Sequence, residues 1–208
     1  NAYDFNNGKN AGDDTDNVLA WTTSSLNTLN HTFNRARSFN ADISGWNVSR
    51  VANMEGTFDS AIMFDRELSR WNQPPSSSTV SLTTLNTTFK NARSFNRDIS
   101  NWNVSRVDNM EGTFHLAANF DQPLRDWNTS KVSTMDSMFR RAYSFNQDIS
   151  SWDVSNVSTM DSMFRCALSY NNGGQPLNDW SLSQVTSLSH MFDGANADPL
   201  QRAISRKS

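Results

Sequence analysis

The chain has 208 residues, a mass of 23.4 kDa, a net charge of −3 and a pI of about 5.5. That suffices for one sizeable core or an array of small units, and it lacks the basic surplus that nucleic-acid binding ordinarily needs. The single cysteine, Cys166, excludes an intramolecular disulfide and any zinc site built on several cysteines, and no apolar run approaches the roughly 18 residues of a membrane-spanning helix.

The chain opens "NAYDFNNGKN", with neither a Met nor a signal-peptide pattern, and reads as a mature form or an excerpt of a longer protein. "YDFN" resembles the tail of an earlier repeat, with an acidic insertion, "NNGKNAGDDTDN", behind it. Residues 1–17 are therefore expected to form a partial repeat plus insertion. Asp13, Asp14 and Asp16 cluster there. The EF-hand glycine and closing glutamate are missing, so a solvated loop is favoured over a calcium site.

From residue 18 a repeat takes over. Trp21, Trp46, Trp71, Trp102, Trp127, Trp152 and Trp180 are spaced by 25, 25, 31, 25, 25 and 28 residues. The long intervals contain insertions, "QPPSSS" at 73–78 and three extra residues within "SYNNGGQPLNDW". A Phe follows each Trp at a fixed distance once these are subtracted, then an Ala three residues on, and in all but the last repeat a second aromatic three further. Residues 33–72 and 89–128 are identical at 27 of 40 positions, which indicates duplication of a two-repeat block. Large hydrophobes on a fixed period are core positions, so Trp46, Phe58, Ala61, Trp102, Phe114, Ala117, Trp152, Phe164 and Ala167 are expected to form the core.

Within one repeat, Val51, Met54, Phe58 and Ala61 are spaced 3, 4 and 3. That periodicity predicts one face of an α-helix, with Ser49, and likewise Ser105 and Ser155, as its N-cap. Ile43, Trp46 and Val48 match the spacing of a leucine-rich-repeat strand. The expected fold is thus an α/β, leucine-rich-repeat-like solenoid of about seven strand–helix repeats with a parallel sheet, spanning residues 18–195. Residues 196–208 lose the pattern and read as a polar cap or a truncated repeat.

"FNQDISSWDVSNVSTMDSMF" at 145–164 resembles the bacterial surface protein repeat, also called the mycoplasma-type lipoprotein repeat and grouped with BspA-like leucine-rich-repeat proteins. The resemblance covers about residues 18–195. It implies a non-enzymatic, extracellular or cell-surface role in adhesion or partner binding. It defines scaffold residues only, so it implies no cofactor and no catalytic residue.

Candidate chemistry is sparse. His31 and His190 share a repeat column six turns apart, and with His115 read as exposed helix residues rather than metal ligands. Cys166 lacks the paired base that a nucleophile needs. Arg35, Arg37, Lys90, Arg93, Arg140, Arg141 and Arg165 follow the helix Phe. They read as cations in a last helical turn, with a stripe for an acidic partner as the competing reading. Asn47, Asn103, Asn128 and Asp153, with Ser49, Ser105, Ser130 and Ser155, form a column of small polar groups. It reads equally as a recognition face or as a ladder bonding neighbouring backbones. A second Asn/Asp column, beginning at Asn40 and Asp65, is expected to fix the turn after the helix. Six N-x-S/T sequons, at Asn30, Asn47, Asn86, Asn103, Asn128 and Asn156, permit glycosylation in a eukaryotic secretory pathway.

The sequence therefore points to a non-catalytic scaffold that binds a protein or glycan, without nucleic acid. Specificity is expected where the two copies differ: Ala41 against Arg97, Gly45 against Asn101, and Ala52 against Asp108. The alternative is a structural subunit or segment of a filament, self-associating through its repeat ends.

Overall fold

A computed structural model describes residues 21–71 and 81–197. The partial repeat and acidic insertion at 1–17, the 73–78 insertion and all but two residues of the 196–208 segment lie outside the described residues.

The repeats stack, each turn of chain lying against equivalent residues of the next. Single parallel bridges join Thr28 to Asn53, Asn53 to Thr84, Thr84 to Asn109, Asn109 to Thr134, Thr134 to Thr159 and Thr159 to Ser187. Beyond each bridge the backbone N–H groups alternate in direction. Those of Gly56, Phe58 and Ser60 donate to the carbonyls of Asn86, Thr88 and Lys90 in the following repeat, at 2.9, 2.8 and 2.7 Å. The intervening N–H groups of Thr57, Asp59 and Ala61 close tight turns onto Met54, Gly56 and Phe58, at 3.1, 3.1 and 3.0 Å. The same alternation recurs in the later repeats. It satisfies the obligatory backbone donors of this segment.

The expected α/β solenoid with a parallel sheet does not form. Among the described residues the one helical element is the 3-10 turn Asn172–Gly174, created by the insertion before Trp180. The bridges stay isolated because every second N–H is spent inside its own turn, so no continuous strand ladder builds up. The helix fails for a backbone reason. Two positions per repeat, four residues apart, adopt positive φ. They are Gly56 and Ser60 in one repeat (58° and 62°), Gly112 and Leu116 in another (58° and 63°), and Ser162 and Cys166 in a third (58° and 58°). A left-handed residue terminates a right-handed helix. Successive turns instead bring Val51, Met54, Phe58 and Ala61 to the interior, with no more than 1% of any of them exposed. The 3-4-3 spacing was a true signal of a shared inner face and a misleading one of helix.

The predicted strand around Trp46 is likewise replaced by turns. The Asp42 carboxylate accepts the Ser44 N–H at 2.9 Å, and the Asn47 side-chain carbonyl accepts the Ser49 N–H at 3.1 Å. Both are Asx turns. Ser49, Ser105 and Ser155 therefore cap no helix.

The core is a set of aromatic stacks. Phe33, Phe58, Phe89, Phe114, Phe139, Phe164 and Phe192 follow one another with ring centroids 5.4 to 5.7 Å apart. Phe39, Phe64, Phe95, Phe120, Phe145 and Tyr170 form a parallel stack at 5.7 to 6.2 Å. The two meet within each repeat, Phe58 lying 4.1 Å from Phe64 and Phe164 3.8 Å from Tyr170. Offset aromatic pairs contribute about 0.5–1.5 kcal/mol each beyond simple burial. Each tryptophan from Trp71 onward also donates its indole N–H to a buried carbonyl one repeat back. Trp71 bonds Ile43 at 3.1 Å, Trp102 bonds Leu68 at 3.0 Å and Trp152 bonds Leu124 at 2.9 Å. Trp46, Phe58, Ala61, Trp102, Phe114, Ala117, Trp152, Phe164 and Ala167 are all buried, none more than 5% exposed.

Candidate functional site

The polar column beside the tryptophans is committed to local structure. In four repeats the Asn or Asp Oδ1 accepts both the N–H and the hydroxyl of the serine two residues on. The hydroxyl bonds measure 2.8 Å for Ser49 to Asn47, 2.7 Å for Ser105 to Asn103, 2.7 Å for Ser130 to Asn128 and 2.6 Å for Ser155 to Asp153. The hydroxyl and backbone bonds from Ser155 hold the Asp153 carboxyl below its ordinary range. These eight residues sit on one face, but their oxygen acceptors already hold the turn.

The inter-repeat ladder lies in the other Asn/Asp column. Asn40 accepts the N–H of Asp65 at 2.9 Å, Asp65 that of Asn96 at 3.0 Å, Asn96 that of Asp121 at 2.9 Å, Asp121 that of Asn146 at 2.8 Å and Asn146 that of Asn171 at 2.7 Å. Arg97 and Asn101, two of the positions that distinguish the copies, are also cross-ties. Arg97 reaches the Asp65 carboxylate at 2.7 Å, and Asn101 donates to the Ser69 carbonyl at 3.0 Å. Ala41 is buried, so at that position one copy places a methyl group in the interior and the other an ion-paired arginine.

The histidines stay apart. His190 pairs with Asp193 at 2.7 Å, and His31 lies over Gly56, whose added Cβ would fall 2.2 Å from the ring. Neither sits on a helix. His115 differs. Burial first, then Arg140, Lys90 and Arg141, push its imidazole down to about 4, so it is neutral at pH 7. Cys166 is a half-buried free thiol in a left-handed backbone position. Among the described residues no three His, Cys, Asp or Glu side chains are placed to hold a metal ion.

The cations past the buried Phe need a new account, since there is no helix dipole for them to complement. Lys90, His115, Arg140 and Arg165 occupy the same position in four consecutive repeats. Their carbonyls accept the N–H groups of Ser60, Asn91, Leu116 and Arg141 at 2.7, 2.6, 2.8 and 2.8 Å, which locks them into one row. Among the described residues no carboxylate lies within ion-pair distance of Lys90, Arg93, Arg140, Arg141 or Arg165, whereas Arg97 and Arg125 pair with Asp65 and Asp148. The Arg140 Nε is buried without a hydrogen-bond partner. Sequence reasoning assembled most of this set but left out His115. Aligning the repeats places that residue between Lys90 and Arg140.

No curated protein and no solved structure matches the chain. One family does, in two consecutive segments, residues 4–82 and 83–204. Each segment contains one copy of the duplicated block that begins at Phe33 or Phe89. The chain belongs to the repeat-containing family described as "Mycoplasma protein of unknown function, DUF285".

Proposed function

We propose that the protein is a non-catalytic repeat scaffold that binds a protein or glycan partner at a cell surface or in secreted material. One observation carries the reading: the buried aromatic and alanine columns recur from repeat to repeat while the outer rows vary in register. The second left-handed position of each repeat is Arg35, Ser60, Asn91, Leu116, Arg141, Cys166 and Gly194. One backbone geometry thus carries six residue types at seven positions. A lattice that fixes spacing and leaves identity free suits display to an extended partner. The resemblance of the W-[ND]-V-S string to the bacterial surface protein repeat supports the location.

The test is a binding screen of the full chain against protein and glycan probes, repeated with substitutions in the outer rows. Loss of affinity from outer-row changes that leave the melting temperature intact supports the reading. Chain that binds nothing and instead sediments as concentration-dependent polymers supports the alternative of a subunit stacking through its repeat ends.

A further inference from the structure

The row of unpaired cations deepens the scaffold reading, on which the assignment of a partner class rests. Across the four repeats that begin at Lys90, three adjacent outer columns hold twelve side chains. They include Lys90, Arg93, Arg140, Arg141 and Arg165, and no acidic residue. The lead column changes sign at both ends, to Asp59 in the repeat before and Asp193 in the repeat after. The basic surface is therefore bounded, on a chain whose net charge is −3.

Its spacing is fixed by the backbone. Repeats joined by N–H···O bonds of 2.6 to 2.8 Å at this row place successive residues about 4.8 Å apart. Arg140 and Arg165, adjacent in the row, repel one another at that spacing, and among the described residues no carboxylate offsets them as Asp65 offsets Arg97 and Asp148 offsets Arg125. The buried Nε of Arg140 is left with an unused donor. His115, in the middle of the row, is held neutral by burial first and then by Arg140, Lys90 and Arg141, so it adds no charge of its own. Tyr143 and Leu168, 41% and 58% exposed, lie in consecutive repeats of the third column, where the Ser169 N–H bonds the Tyr143 carbonyl at 3.1 Å. An aromatic and an aliphatic face thus adjoin the cations.

We propose that this surface binds an anionic polysaccharide, with one acidic group per sugar unit, lying along the stack. A linear uronate or sulfated glycan presents its charges at about one sugar length, close to the row's own spacing, and its sugar C–H faces suit Tyr143 and Leu168. An extended acidic peptide fits less well, because side chains on one face recur about every 6.7 Å and fall out of register within a few repeats. A nucleic-acid duplex is disfavoured because Glu111, Asp136 and Asp161 stand four residues earlier in the same repeats, where a broad polyanion would meet them.

The test uses the full chain with polygalacturonate and dextran sulfate as probes, and with neutral dextran and polyglutamate as comparators. Two double variants, Arg140→Gln with Arg165→Gln and Lys90→Gln with Arg141→Gln, are compared with Lys131→Gln, which removes a single charge in a different column. The expected result is salt-sensitive binding of at least one anionic glycan, weakened about tenfold or more by either double variant and unchanged by Lys131→Gln. Thermal melts of all variants separate lost binding from lost folding. Equal loss from Lys131→Gln, tighter binding of polyglutamate, or no binding of either anionic glycan would overturn the proposal. A protein or neutral-glycan probe that both double variants still bind would overturn it too, while leaving the scaffold reading in place.

Discussion

The repeats ending at Phe58, Phe89 and Phe114 and those ending at Phe139, Phe164 and Phe192 solve one packing problem with different chemistry. In the first set the residue before the Phe is Thr57, Thr88 or Thr113, fully buried. Its hydroxyl reaches a carbonyl of its own turn and one of the preceding repeat, at 2.7 and 3.0 Å for Thr57 and 2.8 and 3.1 Å for Thr113. In the second set the residue is Met138, Met163 or Met191, equally buried and without a hydrogen bond to make. The backbone barely registers the exchange. Phe58 donates to Thr88 at 2.8 Å, and Phe114 and Phe139 donate to Met138 and Met163 at 2.9 Å each. The backbone lattice sets the shape, and a buried position within it accepts either a satisfied hydroxyl or a flexible thioether.

If the lattice is common to both regions, truncating the aromatic stack should cost the same in each. Phe114→Ala and Phe164→Ala should both lower stability by about 3–5 kcal/mol, read from urea unfolding. A twofold difference between them would show that the stack is weaker in one region. Swapping the distinguishing residue probes the contrast directly. Met163→Thr loses volume but gains a hydroxyl within reach of the Met160 carbonyl, and should cost about 2 kcal/mol, at the mild end of large-to-small core changes. Thr113→Val removes the hydroxyl bonds while Leu85 and Met110 keep their backbone partners, and should cost about 1 kcal/mol.

Backbone strain offers a smaller test. Gly112→Ala places a Cβ at φ 58°, 3.2 Å from Thr87, and should destabilise by about 1 kcal/mol. Thr87→Gly relieves a β-branched residue at φ 50°, and should leave stability level or raise it by up to about 1 kcal/mol.

The smallest effect lies at His115, where the two regions meet. Its folded pKa of about 4 lies below the ordinary 6.5. The unfolded chain therefore binds the extra proton between those values. Stability should be unaffected above pH 6.5, fall as pH drops toward 4, and level off below. Solvent screening at this half-buried site reduces the loss to about 1 kcal/mol. His115→Asn should flatten the melting-temperature profile across that window.

Much of this was legible in the sequence. The period, the insertions, the duplicated block and the buried columns all follow from Trp46, Phe58, Ala61 and their equivalents. The route between those residues was not. The spacing of Val51, Met54, Phe58 and Ala61 fits a helix and a run of tight turns equally, because both return side chains to one face at steps of three and four. The deciding positions, Ser60, Leu116, Arg141 and Cys166, are residue types that give no warning of positive φ. The polar columns show the same limit. Asn47 and Ser49 read equally as a recognition face or as a ladder between backbones; their mutual hydrogen bonds close a turn, while the Asn40 and Asp65 column makes the ladder.

The sequence by itself determined the repeat unit, its aromatic lining and the mycoplasma-type repeat family, because stacked aromatic columns demand like residues at every period. Only the tertiary structure decided the backbone path, because a left-handed residue is held in place by hydrogen bonds to the neighbouring repeat. It also decided that Lys90, Arg140 and Arg165 stand in one row without counter-charge, since stacking brings together residues that lie 25 apart in the chain.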